Sequence, residues 1–373
     1  MVFTGAYATF QWTKEAVFNV VAACLTTSYP ATSECPGPFS GEGSVPFGFE
    51  QKLTNWTFTN NAIPLQRLND VRLNAFAYGQ TQGTISLDFV LANPWWLDMV
   101  GFGASCTTGC AEPYTTTWTI GSCAASKTIE SMSIEIGQEQ GATDQTRTLT
   151  GGIVNSASLS TSIGETAKMS LDISYSQETL ATGACVLDTT PALQSICDYI
   201  PYTFAHGSLY FGAETCACIP DVCNLLAEVQ DLDMTINQNG ELLWGLGNSV
   251  AQSAYRKVFE VSGRAKLSHI NTCKLLEIYQ QSKDTLCNTC PAQTLSTEAP
   301  GLQLVFDNGV GTEAAPVAGT RLIKINIKNI SVKDINIPIE PNEPIFEEIN
   351  FQGREMDAKA ITGTDQAGPP VAT

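Results

Sequence analysis

Charged side chains, and basic ones in particular, are scarce in this chain of 373 residues. Charged residues make up 15% of the sequence, against roughly 25% in ordinary soluble domains. Lysine and arginine total 19 whereas aspartate and glutamate total 37, so the formal net charge is −18. Proteins that hold nucleic acid take much of their affinity from basic residues on phosphates. The composition therefore argues against a nucleic-acid-binding protein, but it permits one that DNA slides past.

Features of enzymes and membrane proteins are also missing. The chain has two histidines, His206 and His269, and it contains neither a GxSxG nucleophile elbow nor a P-loop. We therefore expect no enzyme and no cofactor. The longest apolar run, residues 16–25, is about half as long as a bilayer-spanning helix, and no basic segment precedes it. We expect neither membrane insertion nor an export signal.

Cysteine is abundant, with 13 residues that lie mostly in predicted loops. Two groups have zinc-like spacing, Cys106 and Cys110 with Cys123, and Cys287 with Cys290. Histidines are few and no two CxxC knuckles occur at finger spacing, so we expect no metal site. Disulfides formed outside the cell and buried free thiols both remain open. The candidate disulfide cysteines, with undefined pairing, are Cys106, Cys110, Cys123, Cys185, Cys197, Cys216, Cys218, Cys223, Cys287 and Cys290.

Alternation of apolar and polar residues predicts a mainly β protein with two similar series of elements. In each series, two strands precede a short helix, a third strand and a long β-ribbon. Asn93-Pro94 begins the first helix, and residues 271–281 form the second. Asn239-Gly240 predicts a hairpin turn. The predicted strands are residues 70–78, 84–91, 129–136, 149–163 and 167–175, followed by 231–236, 259–267, 302–306, 322–339 and 345–354.

Several stretches combine paired strands with a strand that runs into a short helix: residues 83–97, 149–160, 152–175, 231–236 with 245–248, and 335–338 with 343–345. Together they resemble the tail tube proteins of long-tailed phages and related archaeal viruses, over most of residues 48–356. The resemblance implies two tandem tail-tube-like β-sandwich domains, each with a short α-helix, that contribute strands to a β-barrel between subunits. The implied division is a leader at 1–47, domain one at 48–180, a Cys-containing connector at 181–228, domain two at 229–356 and a flexible tail at 357–373.

The resemblance also implies a function. Six such domains form a ring in this family, so three chains of two domains would close a homotrimeric, pseudo-hexameric ring. Stacked rings would form the hollow tail tube of a siphovirus-like virion, a conduit for genome DNA that is assembled in the host cytoplasm. The implied partners are the chain itself, the tape measure, terminator and baseplate or tip proteins, and double-stranded DNA in transient passage.

Carboxylates lining such a tube would repel DNA. Five carboxylates within predicted strands are candidates for the lumen, although they are equally explained as solvent-facing strand residues. They are Glu130, Glu135, Asp172, Glu347 and Glu348. The loops at 138–148 and 308–319 lie between long strands and are predicted to contact the next ring.

Two other classes of protein remain as alternatives. One is another ring protein of the virion, at the neck or at the tail terminus. The other is a two-domain surface adhesin, with Trp95 and Trp96 as a sugar platform and glycosylation sequons at Asn55 and Asn329. The host, the choice between trimer and hexamer, and whether the tail contracts are not defined by the sequence.

Overall fold

Antiparallel β-structure makes up most of the computed structural model of the chain. The model describes residues 8–15, 17–20, 45–65, 75–77, 79–100, 105–108, 114–119, 129–138, 144–183, 201–213, 224–225, 229–268, 300–317, 319–337 and 346–362. The predicted second helix and all cysteines except Cys106 lie outside these residues. A mainly β fold, as the sequence predicts, is confirmed.

The strands of the first half, in chain order, are β1 (Ala8–Lys14), β2 (Val45–Pro46), β3 (Phe49–Thr59), β4 (Ile63–Leu65), β5 (Ala75–Ala77), β6 (Gln82–Val90), β7 (Ser105–Thr108), β8 (Tyr114–Thr119), β9 (Met132–Gln138), β10 (Asp144–Ser162), β11 (Lys168–Tyr175) and β12 (Gln177–Gly183). A short helix, α1 (Trp96–Met99), follows β6.

The strands of the second half are β13 (Gly207–Ala213), β14 (Asn224–Leu225), β15 (Val229–Asn237), β16 (Gly240–Leu243), β17 (Ser253–Arg256), β18 (Glu260–Ser268), β19 (Pro300–Asp307), β20 (Leu322–Lys328), β21 (Ser331–Asn336), β22 (Phe346–Gly353) and β23 (Glu355–Thr362). A single 3₁₀ turn at Phe204–His206 precedes β13.

Eight strands form one continuous antiparallel layer, here called the main sheet, in the order β3-β6-β11-β10-β15-β18-β22-β21. The first four come from the first half of the chain and the last four from the second half. In both groups of four, the chain-order positions run first, second, fourth, third. The β10–β15 pairing is therefore a seam that joins two groups of the same topology.

Two further sheets cover one face of the main sheet. The first covering sheet contains β2, β1, β9, β12 and the first part of β10, and the second has the order β14-β13-β19-β20-β23-β8-β7. Leu87 and Leu232 of the main sheet belong to the same hydrophobic core as Ile134 of the first covering sheet and Ile325 of the second. The architecture is thus a sandwich whose core lies between the main sheet and the covering sheets.

Local sequence explains the buried face of the main sheet. In β6, Ile85, Leu87 and Phe89 are buried, whereas Ser86 and Asp88 between them are partly exposed. This alternation is the period of a strand with one covered face, and the strand predicted at residues 84–91 is confirmed.

The short helix is also where the sequence predicts it. The Asn93 side-chain oxygen accepts a hydrogen bond of 3.1 Å from the Trp95 backbone N–H at the start of the turn. Trp95 and Trp96 are buried in the core. Their burial explains the two tryptophans by packing and leaves no exposed sugar platform.

A bend in β10 lets one strand serve two sheets. Gly151 at the bend has φ +64°, a conformation that favours glycine. The buried Glu15 carboxylate accepts hydrogen bonds there from the backbone N–H groups of Gly151 (2.9 Å) and Asn19 (2.8 Å), and from the hydroxyls of Ser131 (2.6 Å) and Ser133 (2.8 Å). The residues that follow β1, Glu15 and Asn19, therefore stabilise the bend.

Both terminal segments predicted to be irregular contain a β-strand in the structure. β1 lies in the predicted irregular leader, yet it pairs with β9 and β2 and its Trp12 is 1% exposed. β23 lies largely in the predicted flexible tail, yet it pairs with β20 and β8 and buries Ala358 and Ala360. The prediction of irregular structure is wrong for residues 8–14 and 357–362, because each segment supplies an interior strand of a sheet.

Four predicted internal segments also differ from the structure. The described part of the predicted strand 322–339 forms two strands in two sheets, β20 and β21, because the chain turns at Asn329, which has φ +52°. Asn239 makes the predicted turn, with φ +50°, but the strands before and after it do not pair with each other as a hairpin would. β15 pairs with β10 and β18, whereas β16 pairs with β17. Residues 144–148 of the predicted loop belong to β10, and β13 lies in the predicted connector.

Candidate functional site

The face of the main sheet that points away from the core carries polar side chains from every strand. Its residues alternate with buried apolar ones and lie opposite one another in the strand register. This set, here called the polar face, consists of Lys52, Asn55, Thr57, Thr84, Ser86, Asp88, Ser156, Ser158, Ser160, Ser162, Lys168, Ser170, Asp172, Asp231, Asp233, Thr235, Asn237, Glu260, Ser262, Arg264, Lys266, Asp334, Asn336, Glu348, Asn350 and Gln352.

Serine hydroxyls hold the carboxylates of the polar face in place. The Asp172 carboxylate accepts one hydrogen bond from Ser86 (2.7 Å) and one from Ser156 (2.8 Å) on the neighbouring strands. Asp88 accepts one from Ser170 (2.6 Å) in the same manner. Because hydroxyls are neutral donors, these bonds fix the carboxylates without cancelling their charge.

Three of the four cations of the polar face lie beside acidic or aromatic side chains, namely Lys168, Arg264 and Lys266. Arg264 approaches Asp231 (3.3 Å) and Asp233 (3.1 Å) on the adjacent strand. The Lys266 ammonium lies 4.6 Å from the centroid of the Phe346 ring. The polar face contains four cationic residues against seven carboxylates, so its balance is negative. Such a surface presents no cluster of free cations for phosphate groups.

The five predicted lumen carboxylates lie in three different environments in the structure. Asp172 and Glu348 lie on the polar face. Glu135 and Glu347 are each 1% exposed, and Glu135 accepts a hydrogen bond of 2.7 Å from the side chain of Gln11. Glu130 precedes β9 and approaches the Lys14 ammonium at 3.2 Å. Burial rules out Glu135 and Glu347 as lumen-facing residues of this chain, because their carboxylates do not reach solvent.

Sequence reasoning missed most of the acidic residues of the polar face. The five predicted lumen carboxylates do not include Asp88, Asp231, Asp233, Glu260 or Asp334. The signal that could have found them is the serine alternation of β10, in which Ser156, Ser158, Ser160 and Ser162 share one face. Residues opposite such a run in neighbouring strands must lie on the same face.

A second group of charges lies inside the fold. The Asp98 carboxylate of α1 accepts a hydrogen bond of 2.7 Å from the Trp118 indole N–H and lies 3.2 Å from the Lys14 ammonium. Burial raises the pKa of Asp98, and the Lys14 charge opposes that shift. This cluster connects β1, α1 and β8 in the core, away from the polar face.

Within the described part of the chain, no group of three or more histidine, cysteine, aspartate or glutamate residues is placed to hold a metal ion. Of the candidate disulfide cysteines, only the backbone of Cys106, in β7, is described. No helix among the described residues has the length and apolar character needed to cross a bilayer.

Comparison with known proteins gives a family match that spans nearly the whole chain. A family model described as "Phage tail tube protein" matches residues 8–353. No curated protein matches the chain. The match confirms the resemblance found in the sequence, and it places the chain among the structural proteins of the virion tail.

Proposed function

The chain belongs to the phage tail tube protein family, and we propose that copies of it close into rings by pairing the edges of their main sheets. The stacked rings form the hollow tube of a siphovirus-like tail, through which genome DNA passes into the host cell. The polar face lines the lumen. The proposed partners are the tape measure, terminator and baseplate or tip proteins, with double-stranded DNA in transient passage.

The observation that carries this proposal is a wide antiparallel sheet with one polar face and two edge strands. In the described part of the chain, β3 pairs only with β6 in the main sheet, and β21 pairs only with β22. Exposed strand edges favour pairing with another chain, and closure into a barrel removes them.

The number of strands suits a hollow ring. Eight strands from each of three chains give a barrel of 24 strands. Barrels of roughly 16 strands or more enclose an open channel rather than a packed interior. A trimer would therefore produce the pseudo-sixfold ring that the sequence implies, since each chain supplies two groups of four strands.

The chemistry of the polar face suits DNA passage. The carboxylates repel phosphates, and Arg264 and Lys266 lie beside acidic or aromatic side chains. The many short hydroxyl side chains offer hydrogen bonds without net charge. DNA inside such a tube is confined without being bound, because binding gains most of its strength from lysine and arginine on phosphates.

Electron microscopy of the purified full-length protein tests the assembly. We expect long hollow tubes in negative stain and three chains per ring in a cryo-EM reconstruction. Single rings that do not stack would favour a neck or terminator protein instead. Compact monomers at high concentration would refute the proposed assembly.

A charge variant tests which face lines the lumen. Ser158→Lys with Ser160→Lys adds two cations to the polar face, and the matched control, Thr179→Lys with Ala181→Lys, adds two on exposed positions of β12, outside the main sheet. Tubes are assembled with short double-stranded DNA and treated with nuclease. We expect protected DNA only from the polar-face variant, with protection lost as salt rises. Equal protection from both variants would contradict a lumen-facing polar face.

A further inference from the structure

The two halves of the main sheet agree in register as well as in strand order. β6 begins at Gln82 and β18 begins at Glu260, which is 178 positions later, and their ends are also 178 apart. β11 and β22 show the same separation at both ends. Val90 pairs with Lys168, and the residues 178 positions later, Ser268 and Phe346, pair with each other.

Irregular features repeat with the same separation. A register shift separates Val154 from Ser156 in β10, and another separates Val332 from Asp334 in β21. The bend of β10 at Gly151, with φ +64°, corresponds to Asn329, with φ +52° and 178 positions later. Regular strands can match by chance, but a shared bulge and a shared bend of positive φ are specific local features.

The same separation between corresponding residues is found in the covering sheets and in the small hairpins. The pair Thr150 and Gln177 corresponds to Lys328 and Glu355, again 178 positions apart. The pair Leu65 and Ala75 of the β4–β5 hairpin corresponds to Leu243 and Ser253 of the β16–β17 hairpin. The match extends beyond the main sheet, which favours one module present twice in the chain.

The seam between the modules shows how one module binds the next. The last part of β10 pairs with β15, with Ser156 opposite Asn237 and Ser158 opposite Thr235. The Ser158 and Thr235 hydroxyls are 3.0 Å apart on the polar face. The counterpart of β10 in the second module is β21, and the counterpart of β15 in the first module is β3. These two counterparts are the edge strands of the main sheet.

We propose that β21 of one copy pairs antiparallel with β3 of the next copy in the register of the seam, with Asp334 opposite Thr59 and Asn336 opposite Thr57. The inference rests on the proposed ring assembly and adds its register. All four residues are exposed in the single chain. The interface joins two different strands, so it is heterologous, and such contacts form rings when the rotation closes.

Paired cysteines test the register, because a disulfide requires Cα atoms within about 7 Å. The in-register variants are Asn336→Cys with Thr57→Cys, and Asp334→Cys with Thr59→Cys. The crossed variants, Asn336→Cys with Thr59→Cys and Asp334→Cys with Thr57→Cys, use the same four positions at a diagonal spacing of about 7–8 Å. Assembled protein is oxidised and analysed by non-reducing electrophoresis. Wild-type protein and single variants give the background from the 13 native cysteines.

We expect covalent multimers from both in-register variants and only background from the crossed variants, with the linked peptides identified by mass spectrometry. Ser158→Cys with Thr235→Cys is the matched seam control, and it should close within one chain without forming multimers. Equal or stronger crosslinking of the crossed variants, in protein that still forms tubes, would overturn the register but not the assembly. Wild-type protein that forms neither rings nor tubes would overturn the proposed function.

Discussion

The buried ion pair of Asp98 and Lys14 allows a quantitative prediction. The Asp98 side chain is 0% exposed and the Lys14 side chain 13%, and Glu130, the second carboxylate near Lys14, is 40% exposed. Asp98→Asn keeps an oxygen acceptor for the Trp118 indole but removes the charge that faces Lys14. Removal of one partner from a buried ion pair typically costs about 3–5 kcal/mol. We expect a loss of about 3 kcal/mol, near the lower limit, because Glu130 still neutralises part of the Lys14 charge.

A double-mutant cycle separates the ion pair from other effects of the substitution. Lys14→Met leaves the Asp98 carboxylate buried without its cation, so this single variant should also lose stability. The double variant leaves no buried charge without a partner, because the remaining carboxylate, Glu130, is 40% exposed, and it should lose far less than the sum of the two single losses. The measurement is urea unfolding of unassembled protein, followed by tryptophan fluorescence. Additive losses, or an Asp98→Asn effect below about 1 kcal/mol, would refute this account of the cluster.

The same pair predicts a dependence on pH. Desolvation lowers the pKa of Lys14, but the charges of Asp98 and Glu130 outweigh it, so the pKa is raised above its ordinary 10.5. The contribution of Lys14 to stability is therefore complete below pH 10.5 and is lost as the pH rises through its pKa in the folded protein. The stability difference between wild type and Asp98→Asn should narrow above pH 10.5, and a difference that widens there would contradict the reasoning.

Two further substitutions test the bend and the edge of the main sheet. Glu15→Gln replaces one acceptor oxygen by a donor, so the N–H of Gly151 or Asn19 loses its partner, and urea unfolding should show a loss of about 1–3 kcal/mol. Burial raises the pKa of Glu15, so its contribution falls as the pH rises through that pKa, and the difference should be largest in acid rather than near neutrality. Gly83→Ala places a Cβ about 2.1 Å from the Tyr175 ring, whose hydroxyl binds the Trp56 indole of β3. We expect a loss of about 1–3 kcal/mol and weaker tube assembly by sedimentation. Gly164→Ala strains a backbone of φ +78° but places its Cβ in open space, so it should lose about 1–2 kcal/mol and leave assembly unchanged.

Burial on both faces of β9 and β1 explains why the sequence mispredicted the exposure of Glu135 and missed β1. Glu135 lies between Ile134 and Ile136, so alternation predicts that it faces solvent, yet residues 131–137 are all buried, and Gln11 of the neighbouring strand β1 donates a hydrogen bond to the Glu135 carboxylate. In β1 itself, Gln11, Trp12 and Thr13 are all buried. A strand covered on both faces loses the alternating pattern, and for this reason β1 gave no periodic signal.

The amino-acid sequence by itself determined the mainly β class, the strands predicted at 84–91, 149–163 and 167–175, and the helix after Asn93. All of these follow from short-range patterns of side chains and turns. The partners of each strand were decided only in the tertiary structure, because pairing between strands that are distant in the sequence depends on which surfaces meet. Long-range pairing made β23 an interior strand and joined β10 to β15. It also placed two of the five predicted carboxylates on the polar face and buried two others.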